Sequence, residues 1–302
     1  MDQPYHIPVL ARELVSALQV KPGGVYADCT FGGGGHSGAI LRELNQAGRL
    51  IAFDQDEDAR LNIPDDPRIT FVPHNFRHLK KFLRLHKIEE VDGVIADLGV
   101  SSHQFDKAAR GFSTRFDESL LDMRMDQRQE LTAAGILNSY TEQELHKMFE
   151  QYGEVTNAKT LAKTIVQQRQ LVSIKTVNEF KNAVSPVVKG NPNKYFAQVF
   201  QALRITVNDE MGSLREMLQQ LPSLLKKGGR IAIITFHSIE DRMVKHFFRN
   251  GSFEEMAADS LYGTKPENPF LIITKKPILP SAAEIAANPR SRSAKLRVAE
   301  RK

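Results

Sequence analysis

Carboxylates that end apolar runs, one of them beside a run of glycines, are where this chain could do chemistry. Asp28-Cys29-Thr30-Phe31-Gly32-Gly33-Gly34-Gly35-His36-Ser37 follows the apolar stretch 24–27 and precedes a helix-like segment, 39–44. A strand, a glycine turn and a helix start let a nucleotide-like ligand approach bare backbone. A second apolar run, 49–53, ends on Asp54. An acidic residue at that distance from the glycines can accept hydrogen bonds from ribose hydroxyls. The run 92–98 brings up Asp97, followed by Leu98-Gly99-Val100-Ser101-Ser102-His103-Gln104-Phe105-Asp106. A carboxylate there could bond a cofactor amine or a substrate amino group, or it could cap a loop or helix. His36, just inside the helix start, either contacts a ligand carboxylate or caps the first turn. Gly33-x-Gly35-x-x-Gly38 also satisfies the dinucleotide pattern, so nicotinamide chemistry stays open at this point.

Other constellations carry less. Asp122-Met123-Arg124-Met125-Asp126 brings two carboxylates and an arginine together; an ion-pair cluster is expected there in preference to a metal site. Ser238-Ile239-Glu240-Asp241 has capping-box spacing, so Ser238 is expected to start a helix. No G-x-S-x-G elbow is present, against an α/β-hydrolase. No G-K-[ST] follows the glycines, against a nucleoside triphosphatase. The histidines lack metal-ligand spacing, and no catalytic metal is expected. The single cysteine, Cys29, excludes an internal disulfide framework and suits a reducing compartment. A buried strand-end thiol is its expected role.

These residues need a scaffold. The chain has 302 residues, 41% hydrophobic and 25% charged, the composition of a globular protein with room for two domains. The segment 1–6 lacks signal-peptide character, and no run approaches eighteen apolar residues, so a cytoplasmic protein without membrane contact is expected. Apolar runs at 24–28, 49–53, 69–72 and 92–98 alternate with helix-like patterns, including 78–86. Such β-α repeats predict a parallel sheet with helices on both faces. From about 130 to 220 the signals are helical: a capping box at Thr141-Glu142-Gln143-Glu144, then segments 155–170, 175–185 and 193–221. Alternation resumes with a strand at 230–236, a helix from His237-Ser238 to about Arg249, and a strand at 270–274. Residues 251–269 read as a surface loop. The expectation is one α/β sheet interrupted after its fourth strand by a helical insertion.

In an open parallel sheet, ligands bind beyond the carboxyl ends of the strands. That edge would present Asp28 to Gly35, Asp54, Asn75-Phe76, Asp97 to Ser102 and His237-Ser238. The net charge of +5 suits a polyanionic partner. Residues 289–302 carry Arg290, Arg292, Lys295, Arg297, Arg301 and Lys302 against only Glu300. This basic tail would either neutralise nucleic-acid phosphates or form a frayed terminus.

Several motifs together resemble one family. They are His6-x-Pro8-Val9-Leu10, Asp28-x-Thr30-x-Gly32-x-Gly34-Gly35-His36-Ser37, Asp97-Leu98-Gly99-Val100-Ser101-Ser102 and Arg110-Gly111-Phe112-Ser113. Asp122-Met123-Arg124-Met125-Asp126, Phe236-His237-Ser238-Ile239-Glu240-Asp241-Arg242 and Asn288-Pro289-Arg290-Ser291-Arg292-Ser293 complete the set. In order along nearly the whole chain, they are similar to those of the bacterial 16S ribosomal RNA cytosine-N4 methyltransferases (RsmH/MraW). The resemblance implies methyl transfer from S-adenosyl-L-methionine to the exocyclic N4 of a decoding-centre cytidine. It implies a Rossmann-like methyltransferase sheet in two parts, 1–108 and 213–302, around an all-helical domain, 109–212, that recognises substrate. Carried over by position, the cofactor contacts are Gly34, Gly35, His36, Asp54, Phe76, Asp97 and Gln104. Asp97 is the first catalytic candidate, with His237 and Asp241 shaping the base pocket. Many amino-methylating enzymes have two prolines and an aromatic after the fourth strand; here the chain reads Asp97-Leu98-Gly99-Val100, and Phe112 is the candidate aromatic for the base. The implied partner is 16S ribosomal RNA or the small ribosomal subunit, with a homodimer left open. The competing readings are a methyltransferase for DNA or a small molecule, a nicotinamide oxidoreductase, and a non-catalytic RNA-binding protein.

Overall fold

The computed structural model describes residues 8–253 and 267–302. His6 and most of the 251–269 segment lie outside them. The chain divides into two compact units, Met1–Gly99 with Gly212–Lys302, and Val100–Met211.

The first unit is built on seven strands: β1 Val25–Asp28, β2 Arg49–Phe53, β3 Ile69–Val72, β4 Val91–Asp97, β5 Leu225–Thr235, β6 Phe270–Ile272 and β7 Lys295–Arg301. Their order is β3-β2-β1-β4-β5-β7-β6. The first five pair in parallel, and β7 runs antiparallel between β5 and β6. The fold class is therefore the expected α/β, with a mixed sheet. β4 is buried at every position but its last, which is why it reads as a continuous apolar run rather than an alternating one. Helices Ala11–Leu18 and Gly35–Glu43 cover one face through Leu14, Leu18, Ile40 and Leu41, which pack with Leu50, Ile95, Ile234 and Leu296. The order of strands reverses between β1 and β4. That is the switch point where a crevice opens at the carboxyl edge of such a sheet.

The basic C-terminal segment is neither a tail nor a frayed end. Residues 295–301 form β7, whose Leu296 and Val298 sit in the core and whose Lys295 pairs in register with Thr235. Its charges have partners: Arg297 bonds Asp241, and Glu300 takes Arg230.

The second unit is helical: Ser102–Asp106, Ala133–Ser139, Glu142–Gln151, Ala158–Arg169, Val177–Val184 and Pro192–Val207. Phe149, Leu161, Phe180, Val199 and Leu203 are at its centre. The capping box at Thr141 and Glu144 is present, and a second, Thr176 with Glu179, starts Val177–Val184. The long helix expected over 193–221 is broken. Pro192–Val207 stops at Asn208, Asp209 takes a positive φ of 44°, and Glu210–Gln220 follows. Asn208 is drawn off the helix path because its carboxamide bonds the backbone of Met123 at 2.8 Å and Met125 at 2.7 Å. Gly111 is indispensable here, with φ of 70° and a Cβ position 2.2 Å from the Leu120 carbonyl oxygen. Among the described residues, no helix is long and apolar enough to cross a membrane.

Candidate active site

The site grows from the carboxyl ends of β1, β2 and β4. Asp28 closes β1 fully buried, with Oδ1 accepting from Thr30 N at 3.0 Å and Oδ2 from Ser37 Oγ at 2.7 Å. Burial raises its pKa, against the pull of those bonds. Its two oxygens are spent on holding the glycine turn to the helix that follows. In that turn Gly32 and Gly34 have φ of 50° and 75°. A Cβ on Gly34 would sit 3.0 Å from the Phe31 ring, and one on Gly35 2.9 Å from Pro8. The helix Gly35–Glu43 starts immediately afterwards with no side-chain cap, so no side chain competes with an incoming acceptor for its first N–H groups.

Asp54, one residue past β2, bonds the turn directly. Its Oδ2 accepts from Gly32 N at 2.7 Å and its Oδ1 from Asp56 N at 2.8 Å. Burial outweighs both bonds and pushes its pKa up to about 7. Phe76 is half-buried at the start of a short turn after β3, which Asn75 caps. Asn75 Nδ2 also reaches Gln55 Oε1 at 2.8 Å, which ties the segments after β2 and β3.

Asp97 ends β4 beside the switch point. Its N–H donates to Thr30 Oγ1 at 2.6 Å, and its Oδ2 lies 3.6 Å from His36 Nδ1. Its Oδ1 is buried without a hydrogen-bond partner. Burial lifts its pKa to about 6, opposed by His36 and reinforced by Asp28 and Glu240. His36 neither caps the helix nor stands free. Its Nε2 is 2.8 Å from the Val9 carbonyl, which can only accept, so Nε2 carries hydrogen and Nδ1 faces Asp97.

At the end of β5, His237 is the N-cap of Ser238–Asn250, in a capping box with Glu240. Ser238, expected to start the helix, is its first residue and not its cap. Glu240 is 2% exposed, and its Oε2 accepts from Phe236 N at 2.9 Å. His237 Nε2 comes within 3.1 Å of Glu240 Oε1. Asp241 takes a bidentate grip from Arg297, at 2.6 and 3.1 Å, with Lys295 at 3.5 Å. Burial alone would raise its pKa, but these cations hold it below the ordinary carboxylate range.

Two expected site residues belong to the second unit. Gln104 is buried, and its Oε1 accepts from Ser101 N at 3.1 Å, half of a capping box. Phe112, the candidate for holding the target base, is 5% exposed and packed into the helical core, so it offers no free face. Asp122 and Asp126 are each matched bidentately by Arg124 and Arg128, the ion-pair cluster expected there. Cys29 is buried and its thiol pKa is pushed well up by that burial, which removes it as a nucleophile.

Thr30 and Glu240 are the contributors that sequence reasoning passed over. Thr30 was visible only as part of the glycine motif. Glu240 had a signal, three residues after His237, but histidine is an unusual cap.

Among the described residues, the arrangement lacks a nucleophile or a relay of the hydrolase kind. What it offers is a bare-backbone turn, three carboxylates with raised pKa values, Asp28, Asp54 and Asp97, and one open acceptor oxygen. That set fits a cationic, ribose-bearing ligand. The family model that matches residues 3–302 is described as the MraW methylase family. The chain belongs to the MraW methylase family. A protein of Bacteroides thetaiotaomicron named Ribosomal RNA small subunit methyltransferase H is 52% identical over 299 residues, 99% of this chain and 98% of its own. A protein of the same name from Azobacteroides pseudotrichonymphae is 53% identical over 298 residues, 98% and 97% of the two chains. Among solved structures, an rRNA methylase from Streptococcus thermophilus aligns with 100% of this MraW-family chain and 98% of its own, at a TM-score of 0.38 and 12% identity.

Proposed function

We propose that this protein transfers a methyl group from S-adenosylmethionine to the exocyclic N4 of a cytidine in 16S ribosomal RNA, on the naked RNA or within the small ribosomal subunit. Membership of a methylase family and the printed names of its relatives support the reaction and the class of RNA. The observation that carries the site is Asp97 Oδ1, a buried acceptor without a partner at the β1–β4 switch point, beside a turn where a Cβ on Gly34 or Gly35 would crowd Phe31 or Pro8.

S-adenosylmethionine, when bound, supplies an electrophilic methyl group on a sulfonium centre. Gly34 and Gly35 admit its amino-acid end along bare backbone, Asp54 takes the ribose hydroxyls, and Phe76 packs on the adenine. N4 of cytosine is a weak nucleophile, because its lone pair is delocalised into the ring. Orientation is therefore the main catalytic resource, worth several kcal/mol when the reacting atoms are held in line (roughly 7–11 at best). Asp97 opposes the positive charge that develops on the amine. His36, anchored on the Val9 carbonyl, places Nδ1 beside Asp97 Oδ2 and leaves Oδ1 to the ligand. His237 is assigned to the wall of the base pocket, and Asp241 to keeping β7 against the helix that His237 caps. The base must leave its stack to reach this crevice, which favours a loop, an opened helix or a flipped nucleotide.

The test is incorporation of labelled methyl from S-adenosylmethionine into unmodified small subunits, naked 16S RNA and DNA. Label in the subunit or its RNA is expected. Label in DNA, or in none of the three while the cofactor binds, overturns the assigned acceptor.

A further inference from the structure

Charge in the helical unit is segregated in a way its packing does not require. Residues 155–195 hold seven cations, with Glu179 as the only acid. Glu179 accepts from the backbone N–H groups of Lys175 and Thr176, and two of the cations are used internally, Arg169 by carbonyls and Lys181 by Asp117. The helix Glu142–Gln151, by contrast, exposes three acids, Glu142, Glu144 and Glu150, against one lysine, Lys147.

Four of the remaining cations lie on two segments that one hydrogen bond joins at the start of a helix. Lys159 and Lys163 are exposed one turn apart on Ala158–Arg169, about 6 Å between Cβ atoms. Like charges at that spacing destabilise a helix, and no acid on it relieves them. Asn157 Nδ2, just before that helix, donates to the Val187 carbonyl at 2.8 Å. This bond brings the segment carrying Lys189 and Lys194 alongside. Both lysines are exposed, flanking the open turn at Gly190 and Asn191, with φ of 70° at Gly190 and nothing near its Cβ position. The nearest acid before the helix, Glu154, lies three residues ahead of Asn157.

We infer that Lys159, Lys163, Lys189 and Lys194 form a face that grips the phosphate backbone of the RNA substrate, apart from the base chemistry. The inference rests on the RNA reading above. Phosphate binding uses such clustered, hydrated ammonium groups without reading sequence, and it releases counterions in proportion to the contacts made.

The experiment titrates binding to unmodified small subunits and to naked 16S RNA across a range of salt. It compares wild type, the fourfold Lys→Ala variant at these positions and the fourfold Lys→Arg variant. The alanine variant is expected to lose about 3 from the salt slope of log K, at roughly 0.7–0.9 per lysine. The arginine variant should restore it, and binding of S-adenosylhomocysteine should stay unchanged, showing an intact fold. An unchanged slope overturns the inference. So does weakened binding to subunits with undiminished binding to naked RNA, which would mean a ribosomal protein contacts this face. Wild type that binds neither target would instead remove the RNA reading itself, a separate outcome.

Discussion

Asp97 and Asp54 carry the chemistry of the account, and both are held in environments that resist their ionisation. Asp97→Asn keeps the shape but removes the charge that faces the amine. Loss of one such group costs about 10²–10³ in turnover, and steady-state methylation of 16S RNA should show it. Because the pKa of Asp97 is raised to about 6, turnover should fall as pH drops through that value. Asp54 gives a stability test whose sign follows from its shift. Its pKa rises from an ordinary 3.8 to about 7 in the fold, so its contribution is present at low pH and is lost as pH climbs through about 7. The melting temperature of the free protein should therefore decline between about pH 4 and 7 and level off above that, and Asp54→Asn should flatten the decline. An equally steep decline in the variant would contradict the assignment. At this scale the carboxylates and the glycine turn were legible, since each ends an apolar run. The bond from His36 to Val9 and its approach to Asp97 were not, because they depend on how three separated segments meet.

Among the elements, β7 is the most instructive. Lys295-Leu296-Arg297-Val298 alternates as a strand should, yet its charged members and its terminal position read as a basic tail. The partners of its charges, Asp241 for Arg297 and Arg230 for Glu300, lie 56 and 70 residues away, beyond any local window. Arg297→Ala leaves Asp241 with only Lys295, and the pair is largely buried, at 8% and 14% side-chain exposure. The cost should be about 3 kcal/mol in chemical unfolding. Removing residues 295–302 takes a strand from between β5 and β6 and should prevent folding, as soluble yield and circular dichroism would show. A well-folded truncation would restore the tail reading. The break at Asn208 was hidden for a related reason: helical periodicity continues across it, and only the tertiary bonds to Met123 and Met125 draw the residue aside.

At the scale of the whole molecule, the sheet came out of periodicity: the strands ending on Asp28, before Asp54 and on Asp97 lie where their apolar runs do. The order of those strands, and with it the switch point that turns scattered carboxylates into a site, is a property of the assembled sheet. The helical unit was equally visible as a change of period, but its charge segregation acquires meaning only once Asn157 and Val187 are seen to join its basic segments. Catalytic sheet and RNA-gripping helices would then divide the labour, one unit for the methyl group and one for the phosphates. The most direct measurement is nucleoside analysis by mass spectrometry of 16S RNA after incubation with the protein and S-adenosylmethionine. N4-methylcytidine is the expected product. Methyl groups on cytosine C5, on a ribose oxygen or on another base would contradict the account.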